Sequence, residues 1–199
     1  MKTIEYFMAP ASPYVYLGHQ RLIEIARRHK ARIELKPFDL GGQVFPISGG
    51  LPLGQRPPQR QAYRLVELAR WPKYLNLAFN IKPKFFPVAG DAAALLIIAA
   101  DQTVSADAGL AIAAGVLSAV WAEELNIADA ATLIDIASRA GCNGKELLER
   151  SKSMQPIYEG YTRQAIERQV FGAPWYVYNH EPFWGQDRLD FLDRALAQA

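Results

Sequence analysis

Apolar and polar residues alternate twice near the start of the chain, over 3–8 (TIEYFM) and 33–38 (IELKPF), the period-two pattern of strands laid on a core. Between them Ser12 followed by Pro13 reads as an N-cap with proline at the first helical position, and Leu22, Ile25 and Ala26 continue an apolar face to about His29. This predicts β-α-β. Residues 41–58 (GGQVFPISGGLPLGQRPP) carry Gly and Pro without any period and predict an ordered surface loop. Helical patterning follows over 60–71, with Tyr63, Val66 and Leu68 apolar, and 82–88 (KPKFFPV) reads as an extended connector. Helices are predicted over 91–100, 107–124, 129–140 and 144–151, with Asp129 as an N-cap and Gly141 as a C-terminal cap; 155–169 brings the chain back.

The chain then closes with loop, strand, turn, strand and helix. Gly172-Ala173-Pro174 leads into the β-prone run WYVY, Asn179-His180-Glu181 form the turn, and Phe183-Trp184 make a second short run. Gly185 breaks it, and Asp187 opens a helix with Leu189, Phe191, Leu192 and Leu196 mostly on one face. The front β-α-β and the back β-β-α need each other to complete one sheet. The predicted fold is α/β, a thioredoxin-like domain made of 1–40 and 170–199 and split by a loop and all-helical insertion over 41–169.

Composition narrows the function classes. A chain of 199 residues that is 50% hydrophobic and 21% charged buries a large core. A net charge of +2 gives no footprint for nucleic acid, and Arg27, Arg28, His29, Lys30 and Arg32 fall at a predicted helix C-terminus, a solvated face that complements the dipole. The start MKTIEYFM lacks the apolar core of a signal peptide, and the longest uncharged apolar run, 92–100, is too short for a bilayer. The lone Cys142 excludes an internal disulfide and a Cys-x-x-Cys pair. These features predict a cytoplasmic enzyme with no membrane or nucleic-acid partner. His19, His29 and His180 lack metal spacing, so no metal is expected, and there is no Ser-His-Asp order, P-loop or dinucleotide fingerprint.

In a thioredoxin-like layout the first helix starts opposite the loop carrying Pro174. There the chain has Ser12-Pro13-Tyr14-Val15, with no cysteine. The helix start favours an anion, and a serine hydroxyl can donate to a thiolate supplied by a ligand. A cis bond before Pro174 would expose the Ala173 backbone to a peptide-like ligand, as a sheet edge does. Each feature also has a structural reading: Ser12 as an ordinary N-cap, Pro174 as a turn proline, Asp187 as a cap and Arg188 as a solvated cation.

Three stretches carry a family resemblance: Ser12-Pro13-Tyr14 with Tyr16-Leu17, the loop 54–58 leading to Arg60 and Tyr63, and the C-terminal FGAP…FWGQDRLDFL. Over essentially its whole length the chain resembles the 2-hydroxychromene-2-carboxylate isomerase family, which stands with kappa-class glutathione transferases among DsbA-like thioredoxin folds. The resemblance implies a homodimer that binds glutathione and an aromatic or electrophilic small molecule. It implies Ser12 beside the glutathione sulfur as the catalytic residue, Ala173 before Pro174 pairing with the cysteinyl unit, and Asp187 with Arg188 holding the γ-glutamyl end. It places Arg60 near the glycyl carboxylate and Gln55 in the site loop, where the family often has Asn; Ala9 stands where the family often has Asp. The implied reaction is isomerisation through reversible thiolate addition. A transferase of other electrophiles and a non-catalytic thioredoxin-like binding module are the alternatives.

Overall fold

The computed structural model describes residues 1–198, so the last position of the expected 170–199 piece lies outside the described residues. Strand β1 (Thr3–Met8) leads to helix α1 (Pro13–Arg28) and parallel strand β2 (Arg32–Pro37). Strands β3 (Trp175–Tyr178) and β4 (Glu181–Trp184) return antiparallel, giving the order β2-β1-β3-β4. Asn179 and His180 join the last two strands, both at positive φ (48° and 67°). This is the hairpin turn that matches strand twist.

Ile4, Tyr6, Met8, Ile33, Leu35 and Tyr176 place one face of the sheet in the main core. The opposite face is not the polar one that alternation over 33–38 predicts. Lys36 is 8% exposed, its ammonium 2.7 Å from Glu5 and over the Phe7 ring, and Phe38 packs with Phe7, Val44, Ala165 and Trp175. A paired lysine can be buried where an unpaired one cannot, so periodicity alone misjudges this face.

Between β2 and β3 the chain is helical. Residues 41–58 are not a plain loop: Asp39 accepts from the Gly42 N–H (2.7 Å) and caps a π-type turn over Leu40–Val44, which runs into α2 (Phe45–Ser48); a 3-10 turn covers Leu53–Gln55. Helix α3 (Pro58–Leu75) is longer than patterning predicts, starting on Pro58 and ending at Asn76 in the left-handed region. Five more helices follow: α4 (Asp91–Thr103), α5 (Ala106–Trp121), α6 (Ala130–Arg139), α7 (Gly144–Ser151) and α8 (Gln155–Glu167). Ser105 and Asp129 cap α5 and α6 through the N–H groups of Ala108 and Thr132. The main core runs without a break from the sheet through α1 into α4 and α5.

The chain ends on a 3-10 turn (Gln186–Arg188) and helix α9 (Leu189–Ala197), which starts two residues later than Asp187 predicts. The Asp187 carboxylate makes no cap bond; Arg188 takes it at 2.9 Å. The basic cluster at the end of α1 is more than a solvated face: Arg28 and His29 both clasp Asp193 of α9 (3.0 and 2.6 Å). Among the described residues no helix is long and apolar enough to cross a membrane.

Candidate active site

Ser12 holds an extended conformation (φ −79°, ψ 126°) at the end of the turn after β1, its own N–H donating to the Ala9 carbonyl at 3.0 Å. Its Oγ accepts from the Val15 N–H at 3.4 Å and lies 3.5 Å from the carbonyl oxygen of Ala173. Both contacts are long, so the hydroxyl proton is weakly held and available to a better acceptor. Pro13 has no N–H and Val15 spends its own on Ser12, which leaves the Tyr14 N–H without an intrachain acceptor among the described residues. A weakly bound hydroxyl and a free amide thus meet at the positive end of a 16-residue helix.

The loop facing Ser12 has the expected cis bond between Ala173 and Pro174. A Cβ on Gly172 would come within 2.3 Å of the Trp184 indole nitrogen, so only glycine lets this loop lie against β4. The Pro174 carbonyl accepts from the Gly185 N–H (2.9 Å), which ties the loop to the Gln186–Arg188 turn. Ser12, Ala173 and Pro174 are therefore brought together, and Asp187 and Arg188 sit exposed on the adjoining turn.

A different surface borders the other residues at the start of α1. The Tyr16 hydroxyl donates to the Ala78 carbonyl (2.8 Å) and its ring lies 6.0 Å from Phe79; Phe79 stacks on Trp121 at 5.1 Å, and Phe86 meets Trp121 at 4.7 Å. Over this wall lies Arg64 of α3, its guanidinium 5.3 Å from the Phe86 ring and 5.9 Å from Trp121. Burial lowers the Arg64 pKa, and among the described residues its side chain has no carboxylate partner. Burial raises the pKa of Tyr14, which the charges of Arg64 and Arg56 oppose, so these two cations stand close to the residue two places after Ser12.

Arg60 and Gln55 are exposed, and among the described residues neither side chain bonds to Ser12, Ala173 or Asp187. Arg64, one helical turn after Arg60, is the cation that reaches the aromatic wall. Three other aromatics lie away from this wall: Phe45 under Arg56, Phe85 beside Lys84, and Trp175 packed with Phe7 and Phe38. A cleft of about 620 Å³ on the charged face of the sheet includes Glu5, Glu34, Lys36 and Arg168 and none of the Ser12 constellation. Glu5 there is already paired with Lys36 and Arg168.

A hydroxyl at a helix start, a cis-proline loop across from it, and a strand pair closing the sheet on the far side are the parts of one architecture. A family model, the DSBA-like thioredoxin domain, matches residues 3–197. The chain belongs to that family. This DSBA-like thioredoxin domain is 28% identical over 197 residues to the 2-hydroxychromene-2-carboxylate isomerase of Sphingobium xenophagum, covering 98% of each chain. It is 27% identical over 198 residues to the enzyme of the same name from Pseudomonas putida, covering 98% of this chain and 94% of that one. A solved 2-hydroxychromene-2-carboxylate isomerase superposes with a TM-score of 0.82 at 24% identity, over 98% of this chain and 95% of the other. In this DSBA-like domain the sequence reading missed Arg64, Phe79, Phe86 and Trp121. Arg64 carried a signal, its i+4 spacing from Arg60; the rings, scattered over 79–121, carried none.

Proposed function

We propose that the protein is a glutathione-dependent isomerase acting on a carboxylate-bearing conjugated aromatic of the 2-hydroxychromene-2-carboxylate type. The observation that carries this reading is the Ser12 hydroxyl, loosely bonded at the start of α1 and 3.5 Å from the Ala173 carbonyl. The names of the full-length relatives support the reaction class. The residues present also fit glutathione: an exposed backbone beside a cis-proline, an exposed carboxylate at Asp187, and a free helix-start amide at Tyr14.

Bound glutathione would supply a thiolate that adds reversibly to a conjugated carbon, turning a double bond into a single bond free to rotate before elimination restores the thiol. The protein's part is to hold that sulfur ionised without holding it too tightly. A free thiol of pKa about 8.5 is roughly 3% ionised at pH 7, and lowering it by about two units, worth about 2.7 kcal/mol, makes most of it thiolate. Ser12 donates its proton toward the sulfur, and the Tyr14 N–H with the helix dipole adds positive potential. Asp187 takes the ammonium of the γ-glutamyl end. Phe79, Phe86 and Trp121 form the apolar wall for the aromatic ring, and Arg64 takes its carboxylate, a role suited to a half-buried guanidinium that has no carboxylate partner among the described residues.

The test follows 2-hydroxychromene-2-carboxylate absorbance and free thiol together, with glutathione well below substrate. Conversion to the ring-opened trans isomer at constant thiol is the expected result. Thiol loss matching substrate loss would make the protein a transferase, and no response with or without glutathione would leave a binding module.

A further inference from the structure

The helix that begins at Ser12 also holds the turn that carries Asp187. A Cβ on Gly18 would lie 2.8 Å from the Tyr176 hydroxyl and 2.9 Å from Gln186 Cβ, so glycine at this position seats the turn directly on α1. Three residues on, Arg21 closes the contact with a fork. Its Nη1 donates to both the backbone carbonyl (3.2 Å) and the side-chain Oε1 (3.1 Å) of Gln186, and its Nη2 donates to Asp190 at 3.1 Å. Gln186 is 2% exposed, a buried amide whose oxygen is satisfied by Arg21. On the open side of the turn Gly185 has φ +101°, and a Cβ there would lie 2.5 Å from Asp187 Oδ1. The carboxylate therefore rests over bare backbone, aimed by the turn.

The spacing along α1 matches a ligand. Gly18 is six residues beyond Ser12, about 9 Å along the axis at about 1.5 Å per residue. An extended two-residue peptide unit reaches roughly 7 Å, and a γ-linked glutamyl reaches further. We infer that Arg21 is a positioning residue: through Gln186 it fixes the reach from Ser12 to Asp187 and so sets affinity for the γ-glutamyl end of glutathione without touching it. This rests on the glutathione reading above. A lysine keeps the positive charge but has a single nitrogen, which cannot hold Gln186 and Asp190 together as Nη1 and Nη2 of the planar Arg21 fork do.

The experiment compares wild type and Arg21→Lys by calorimetric titration with glutathione and with cysteinylglycine, which lacks the γ-glutamyl unit, alongside melting curves. Arg21→Lys is expected to weaken glutathione about tenfold, the scale of one charge-assisted bond, and to leave cysteinylglycine within about twofold. A merely structural role would weaken both ligands alike, and that result overturns the inference, as does unchanged glutathione affinity in a folded variant. Wild type that fails to bind glutathione sinks the glutathione reading first, and the inference with it. Should Arg21→Lys not fold, Gln186→Met removes one acceptor of the fork and must show the same ligand selectivity. In an Asp187→Asn background Arg21→Lys should cost little more; fully additive losses would separate the two residues and reject the proposal.

Discussion

The loop and turn over 172–188 and the wall of Phe79, Phe86, Trp121 and Arg64 both border the start of α1, and they are built on opposite plans. The first is held by backbone and close approach: the Gly185 N–H to the Pro174 carbonyl, Gly172 under Trp184, and buried Gln186 in the Arg21 fork. The second is held by ring contacts, with a half-buried cation from α3, a helix that buries only Leu68 and Pro72. Backbone hydrogen bonds fix distances, whereas stacked rings tolerate small slides. The first surface suits a ligand of one peptide-like geometry, and the second suits an apolar ring with an anionic substituent.

His19 links the sheet that carries the first surface to the helix that carries Trp121 of the second, and breaking it gives the largest expected effect. Its ring lies between Tyr6 of β1 (3.2 Å) and the Leu110 carbonyl of α5 (3.0 Å), the helix that ends at Trp121. A carbonyl can only accept, so Nε2 carries the proton and Nδ1 accepts from the Tyr6 hydroxyl. Burial pushes the His19 pKa down to about 4, against about 6.5 unfolded. The folded pKa is the lower, so this stability is complete above pH 6.5 and is lost as pH falls toward 4. Over that window the loss is about 3 kcal/mol. Denaturant melts at pH 7.5 and 4.5 on wild type and His19→Gln cancel the carboxylates common to both. Wild type should lose about 2–3 kcal/mol more than the variant across that interval; equal losses would remove His19 as the joint.

Ser12 stands where the first surface meets the start of α1, and Ser12→Ala sharpens the comparison there. The expected capping loss is about 0.5–2 kcal/mol, with the fold retained. Bound thiol held near pKa 6.5 is about three-quarters ionised at pH 7; Ser12→Ala keeps the Tyr14 N–H and the helix dipole, so the midpoint returns part of the way toward 8.5 and the fall in thiolate stays below the about 25-fold of a complete return. Turnover should drop accordingly at pH 7 and recover as pH rises past 8.5. Ultraviolet titration of the thiolate at saturating glutathione reads the midpoint directly, and an unmoved midpoint would reduce Ser12 to a helix cap.

The first surface was legible in the sequence and the second was not, for a physical reason. Ser12-Pro13, Gly172-Ala173-Pro174 and Gly185 act through local backbone rules, so short motifs announce them. The aromatic wall is assembled by packing among segments up to 42 positions apart, from Phe79 to Trp121, and no local period encodes that meeting. The same holds for smaller departures. Asp39 caps a turn inside 41–58 that Gly and Pro content disguises, and Lys36 is buried because Glu5 on the neighbouring strand neutralises it. Asp187 resembles a helix cap by type and position, yet its Oδ2 pairs with Arg188 and α9 starts at Leu189.

Arg60 and Arg64 carry the comparison at its finest grain, since they share a helix and differ by one turn. Arg60 is exposed, so its charge is screened and it discriminates little between carboxylates. Arg64 has already shed part of its water against Phe86 and Trp121, and its attraction for an anion placed on those rings is correspondingly stronger. Replacing each by methionine keeps the helix former and the apolar stem while removing the charge. Arg64→Met should raise the half-saturating concentration of 2-hydroxychromene-2-carboxylate about tenfold, about 1.4 kcal/mol, and Arg60→Met by less than about twofold. Steady-state rates at saturating glutathione measure both. A loss confined to glutathione would move Arg64 from the substrate's carboxylate to the glycyl carboxylate of the tripeptide, and a larger effect at Arg60 would mean that the exposed face of α3, not the aromatic wall, receives the anion.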